Sequence, residues 1–138
     1  MTTFISFSVG RENFAMDIGR IREVCNFSEA VRVPQAPPHI LGLVNLRGRA
    51  VPVMDLGLRM STAAIGSRGR ELIVVEVQDD QDPWLMGLLV ETILGLEEAG
   101  PEDIAPPPQM PGNVGRFITG IFRANGYYLL DTQKLCTP

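Results

Sequence analysis

Residues 40–56 read Ile40-Leu41-Gly42-Leu43-Val44-Asn45-Leu46-Arg47-Gly48-Arg49-Ala50-Val51-Pro52-Val53-Met54-Asp55-Leu56. Two apolar runs, Leu41–Leu46 and Ala50–Leu56, flank an Arg47-Gly48 pair. The runs are rich in β-branched residues and too short for ordinary helices, so they read as strands. A two-residue break with Gly in second place is a tight hairpin signal, because Gly accepts positive φ without a Cβ clash. Pro52 has no N–H for a ladder and places its arm at a sheet edge or a bulge. Asn45 and Arg47 then stand at or near the tip, facing water. Such a tip is either a plain solvated turn or a polar knob offered to a partner.

Working outward, the N-terminal side is β-rich. Phe4–Val9 alternates, with Ile5, Phe7 and Val9 on one face and Ser6 and Ser8 on the other. A turn at Gly10–Asn13 leads to a second strand, Phe14–Ile18. After Gly19, the stretch Ile21–Phe27 alternates again. Pro34, Pro37 and Pro38 lay down an extended connector, and Pro37-Pro38 suits a short helical turn at His39–Leu41.

On the C-terminal side, Ser61–Gly69 is small and polar and reads as a mobile loop. Glu71–Val77 is a near-continuous β-branched run, the pattern of a strand buried on both faces. An acidic turn at Asp79–Pro83 precedes strands at Trp84–Val90 and Thr92–Leu96. A helical turn is expected from Gly100, and Ala105–Gly112 is a proline-rich crossover. Phe117–Phe122 and Tyr127–Asp131 form a last hairpin around Asn125-Gly126.

The two halves echo each other. Ile40, Gly42 and Gly48 match Ile118, Gly120 and Gly126 at an offset of 78, and Ala15, Ile18 and Ile21 match Gly87, Val90 and Ile93 at 72. This predicts about ten short strands in two sets of five. Each set would close into a small barrel, the boundary would fall near 61–70, and the two would share an apolar seam.

The chain has 138 residues, 45% hydrophobic and 20% charged, enough for one compact unit with a real core. Every apolar stretch is broken by Arg, Asp, Glu or Pro before it could cross a bilayer. The N-terminus lacks a basic leader region and reads as strand, so a cytoplasmic protein is expected. Cys25 and Cys136 stand far apart in sequence, as free thiols would, with a disulfide between them the open alternative. The net charge of −4 argues against nucleic acid as a partner. It is unevenly spread: residues 1–70 hold nine Arg and five acids (+4), and residues 71–138 hold three basic and eleven acidic residues (−8). Such polarity steers a charged partner or orients neighbours in an assembly. A chance imbalance of solvated surface explains it equally well.

No catalytic or metal-binding pattern is present. His39, the single histidine, has no Cys or carboxylate neighbour in sequence. There is no zinc spacing and no phosphate-binding loop. Asp17, Asp55 and Asp131 each end a strand, where Asp commonly bonds local backbone donors. A carboxylate pair from Asp55 and Asp131 in a small β-barrel enzyme, and an apolar barrel cavity for a ligand, are the alternatives to a binding module.

In order along the chain, several motifs resemble the CheW-like coupling family, the adaptors of bacterial chemosensory arrays. They are Phe14-Ala-Met-Asp-Ile18, Ile21-Arg-Glu-Val24, Val33–Gly42, Asn45-Leu-Arg-Gly48 with Val51–Leu56, Leu88–Glu91, Ile104–Pro108, Ile118–Ile121 and Leu129–Asp131. The resemblance covers nearly the whole chain. It implies two five-stranded β-barrels around a common core, no cofactor and no catalysis. It implies an adaptor between the cytoplasmic tip of a chemoreceptor and the regulatory domain of a CheA-type histidine kinase, either in chemotaxis or in a twitching or other surface-signalling system. Carried over, Ile21, Glu23, Gly42 and Arg47 fall on partner-binding surfaces. The resemblance implies that Glu23 and Arg47 are polar contacts to the receptor, with Asn45 and Gly48 at the same surface and Asn45 supporting the turn. Many family members continue into a C-terminal helix, whereas this chain stops at Pro138.

Overall fold

The computed structural model describes residues Met1–Thr137. Their strands are β1 (Thr2–Val9), β2 (Glu12–Asp17), β3 (Ile21–Asn26), β4 (Ile40–Leu46), β5 (Arg49–Asp55), β6 (Glu71–Val77), β7 (Trp84–Val90), β8 (Thr92–Ala99), β9 (Ile104–Ala105), β10 (Ile118–Phe122) and β11 (Tyr128–Leu130). Two short helices, α1 (Leu56–Arg59) and α2 (Thr132–Cys136), follow Asp55 and Asp131. Both aspartates are N-caps: their carboxylates accept from the backbone N–H of Leu58 and Lys134. The expected reading of strand-end Asp as a local backbone acceptor thus holds at both positions. It holds also at Asp17, which accepts from Gly19 N at 2.7 Å.

The strands form a six-stranded sheet, ordered β8-β1-β2-β11-β10-β9, and a five-stranded sheet, ordered β3-β6-β7-β5-β4. The mainly-β expectation holds, but neither sheet closes into the expected barrel. Pro106–Pro108 cut β9 to two residues, and the proline connector separates β3 from β4. Side chains reach across each open sheet from one edge strand to a hairpin turn. Glu23 of β3 reaches Arg47 at the β4–β5 turn, and Glu97 of β8 reaches Asn125 at the β10–β11 turn.

The internal repeat is real, and it is interleaved. β5 pairs in parallel with β7 through Val53 and Gly87, and β11 pairs in parallel with β2 through Leu129 and Ala15. Ala15 and Gly87 are related by the offset of 72, and their partners Leu129 and Val53 stand two residues short of the offset of 78. The N–H of Asp55 donates to His39 O and that of Asp131 to Phe117 O, both at 2.8 Å. Each half therefore lends its first hairpin to the sheet of the other. The chain changes sheets at Ile18–Arg20 and again at Glu91, rather than near 61–70.

The main core fills the space between the sheets, around Phe7, Met16, Leu56, Leu72, Leu88 and Phe117. Each such side chain contributes about 1.5–3 kcal/mol by leaving water. β6 is buried on both faces, as its apolar run requires. A smaller core of Phe4, Ala15, Ala99 and Phe122 lines the inside of the curled six-stranded sheet, with Phe4 and Phe122 edge-to-face at 5.1 Å. Ser6 shares that enclosed side. Placed by the alternation on the face opposite Ile5 and Phe7, it is fully buried, and its hydroxyl donates to Gly95 O or Glu97 Oε2.

Three local expectations change. Pro52 lies in an inner strand rather than at an edge; it is tolerated because the β5–β7 ladder begins only at Val53. Residues 39–41 run directly into β4 after a turn closed by Ile40 N to Pro37 O, with no helical turn. The 61–69 segment is anchored: Ile65 is buried in the core, and Arg68 bonds the carbonyls of Ala64 and Ile65 and pairs with Glu91.

Candidate partner-binding hairpin

The β4–β5 hairpin pairs Leu46 with Arg49 across a two-residue turn. Arg47 and Gly48 have φ of 52° and 83°. Positive φ at both central positions is the mark of a type I′ turn, whose twist matches the strands it joins. Gly takes this conformation freely, whereas Arg pays about 1–2 kcal/mol for it. Two contacts hold the turn. Asn45 Oδ1 accepts from Gly48 N at 2.9 Å, and Arg47 Nη1 pairs with Glu23 Oε1 at 3.2 Å. Because β7 covers β5 only from Val53 to Asp55, the Leu43–Pro52 part of the hairpin projects beyond the sheet's parallel pairing.

Four of the six expected residues, Glu23, Asn45, Arg47 and Gly48, gather at this tip. The Arg47 side chain is 82% exposed and that of Glu23 only 26%. The two expected polar contacts are therefore bonded to each other. An exposed pair of this kind is worth at most about 1 kcal/mol, so it orients the guanidinium yet yields readily to a stronger carboxylate. Ile21 sits lower on β3, half-buried against the core and opposite Val75. Gly42 lies in β4, where the backbone of Val31 pairs across it. A Cβ there would run into the Val31 carbonyl.

Sequence reading missed the counterpart of this contact. Asn125 Nδ2 donates to Glu97 Oε1 at 3.3 Å, at the tip of the equivalent hairpin. The offset of 78 between Gly48 and Gly126 was the available signal.

The enzyme alternative fails on geometry. Asp55 is fully buried, and its two oxygens accept from the backbone N–H groups of Leu58, Ile65 and Gly66. It shares no hydrogen bond with Asp131, whose carboxylate accepts from Lys134 N. Among the described residues no group of three His, Cys, Asp or Glu side chains could hold a metal, and no helix is long and apolar enough to cross a membrane.

The CheW-like domain model matches residues 3–137. The chain belongs to the CheW-like family. The "Chemotaxis protein CheW" of Rhizobium meliloti (strain 1021) is 30% identical over 123 residues, which is 88% of this chain and 77% of that protein. "Protein FrzA" of Myxococcus xanthus is 29% identical over 138 residues, covering 96% and 83% of the two chains. The crystal structure of "scaffolding protein TtCheW" from Thermoanaerobacter tengcongensis superposes with a TM-score of 0.83 at 26% identity, over 97% of this chain and 91% of that one. The CheW-like fold thus accounts for the interleaved sheets.

Both cysteines are free. Burial pushes the Cys136 thiol up to about 12, with the Arg59 charge opposing. Cys25, on β3, is raised by partial burial and by Glu23, with Arg47 opposing. A thiol reagent should label Cys25 first and reach Cys136 only on unfolding, as mass spectrometry of timed aliquots would show. Because the native thiol binds its proton more tightly than the unfolded one, the Cys136 contribution is intact below about pH 9. Stability should then fall between about pH 9 and 12, and Cys136→Ser should flatten that decline in urea titrations.

Proposed function

We infer that this chain is a non-catalytic adaptor of a bacterial chemosensory array, coupling chemoreceptors to a CheA-type histidine kinase. Its finer partners in this reading are the regulatory domain of the kinase and the cytoplasmic tip of the receptor, so its place is the cytoplasmic face of the array. The whole chain works as one module. The observation that carries the reading is Arg47, held at the end of a projecting hairpin of a CheW-like fold with its guanidinium 82% exposed. A planar guanidinium suits carboxylates on a partner surface, because it bonds them in pairs. Glu23 acts through Arg47, orienting it before the partner arrives. Contacts of this size are individually weak and reversible, and an array adds them by avidity.

Titration of the kinase regulatory domain, and separately of a receptor cytoplasmic fragment, tests this by calorimetry. The wild type should bind at least one of them in the micromolar range. Arg47→Glu should weaken that binding about 10–30-fold, the usual effect of losing an arginine anchor. Glu23→Gln should weaken it only a few-fold, and far-UV circular dichroism should be unchanged for both. Folded wild-type protein that binds neither partner at high micromolar concentration would refute the adaptor reading. Equal effects of the two substitutions would refute the division of roles.

A further inference from the structure

Away from the hairpin tip, a cavity of about 490 Å³ opens where the β1–β2 turn, the 60–68 segment and the 110–118 crossover meet. Its lining is apolar. Phe14, Met60 and Ile118 are buried, and Met110, Val114 and Tyr128 are half-buried against the main core. Strands β2, β10 and β11 supply one side and the segment after α1 another, so the cavity is not the inside of a barrel. It shares no residue with the hairpin site. Its walls are tied together. Glu91 Oε1 accepts from Gly10 N at 2.8 Å and pairs with Arg68 Nη1 at 3.2 Å, joining the β1–β2 turn to the 61–69 segment. Asn113 Nδ2 donates to Ser61 Oγ at 3.2 Å, joining that segment to the crossover. Asp55 holds the same segment to the core through Ile65 and Gly66.

A cavity already built costs a ligand little ordering, and the flexible Met60 and Met110 side chains can adjust to its shape. Small-molecule sites span roughly 300–1,000 Å³. Roughly 150 Å³ suffices for a benzene-sized group, so this cavity has room for two apolar side chains and the backbone between them. Charge at the mouth selects among such ligands. Arg68 is spent on Glu91 and on the carbonyls of Ala64 and Ile65, and the Thr62 hydroxyl on Gly57 O. Arg11 and Glu12 line the mouth, are exposed, and join no ion pair among the described residues. One unpaired cation and one unpaired anion beside an apolar hollow fit a ligand that carries both charges.

We propose that this cavity binds a free apolar dipeptide as its zwitterion. The two side chains lie among Phe14, Met60, Met110 and Ile118, the carboxylate meets Arg11, and the ammonium meets Glu12. The site does not depend on the adaptor reading, since neither Glu23 nor Arg47 lines it.

Calorimetric titration of the full chain with leucylphenylalanine tests this, beside its N-acetyl form, its C-terminal amide and glycylglycine. Leucylphenylalanine should bind at submillimolar concentration, and glycylglycine, which lacks apolar side chains, should not. Each blocked form should bind about 3–5-fold more weakly than the parent, the scale of one exposed ion pair. Arg11→Gln should bind the amide as tightly as the free dipeptide, and Glu12→Gln should treat the N-acetyl form in the same way. Met110→Trp fills the cavity and should abolish binding. Circular dichroism confirms that the variants are folded; if Met110→Trp is not, Val114→Phe reads the same outcome. Wild type that binds no leucylphenylalanine at millimolar concentration overturns the proposal. So do glycylglycine or blocked forms that bind as tightly as the parent, charge variants that still distinguish them, and a folded cavity-filling variant that binds like wild type.

Discussion

Asp55→Ala should lower the unfolding free energy by about 3–5 kcal/mol, a large share of the roughly 5–15 kcal/mol of a typical domain. The Asp55 carboxylate is fully buried and accepts from three backbone N–H groups, those of Leu58, Ile65 and Gly66. Removing it strands three donors, and each buried donor without a partner costs about 1–3 kcal/mol. The effect spreads because Ile65 and Gly66 tie the 61–69 segment to the core. Asp131→Ala is the matched control, since Asp131 caps α2 at the equivalent place but accepts from Lys134 N alone, on the exposed side. A lost cap of that kind costs about 1 kcal/mol. Urea unfolding of both variants checks the contrast. Equal losses would show that Asp55 acts as an ordinary helix cap and that the loop anchoring carries no weight.

The second large effect is at Gly42. Its φ is 150°, and an added Cβ would press into the Val31 carbonyl and the Arg32 amide nitrogen. Those are backbone atoms, fixed by the two hydrogen bonds between Val31 and Leu43, each 2.8 Å long. They cannot step aside as a flexible side chain can. Gly42→Ala should therefore cost about 3 kcal/mol or more, combining backbone strain with a broken bridge. Gly120, the repeat mate, faces Ala105 O at 3.1 Å and the Ile104 side chain in the same way. Gly48→Ala meets nothing within 4 Å and keeps only the penalty of its positive φ of 83°, about 1 kcal/mol. Thermal denaturation of the three variants should rank Gly48 mildest. Partner binding by Gly42→Ala should fall together with the fold, whereas Arg47→Glu should lose binding with the fold intact. A Gly42→Ala protein of wild-type stability would sink the close-approach account and leave Gly42 as a contact residue only.

The site was partly legible before any coordinates. Gly48 announces the turn, and Asn45 two residues before Arg47 marks its support. What the spacing of 24 residues between Glu23 and Arg47 could not show is that they touch. Their contact depends on how far the five-stranded sheet curls, and that curl is a property of all its strands. The buried role of Asp55 was hidden for a similar reason, because its Ile65 and Gly66 donors lie ten and eleven residues on, in a segment that reads as a loose loop.

Alternation, proline breaks and glycine turns are local steric facts, so the amino-acid order alone determined most of the strand positions, the tight turn at Arg47-Gly48 and the repeat offsets. Which strands became neighbours is a matter of long-range burial. The repeat is satisfied equally well by halves that close on themselves and by halves that trade hairpins. Only the packed molecule decided for the trade, because β6 and β7 cover their apolar faces fully when set between β3 and β5. The same packing left β8 at the end of one sheet and β4 at the end of the other, where Val31 bridges to Leu43.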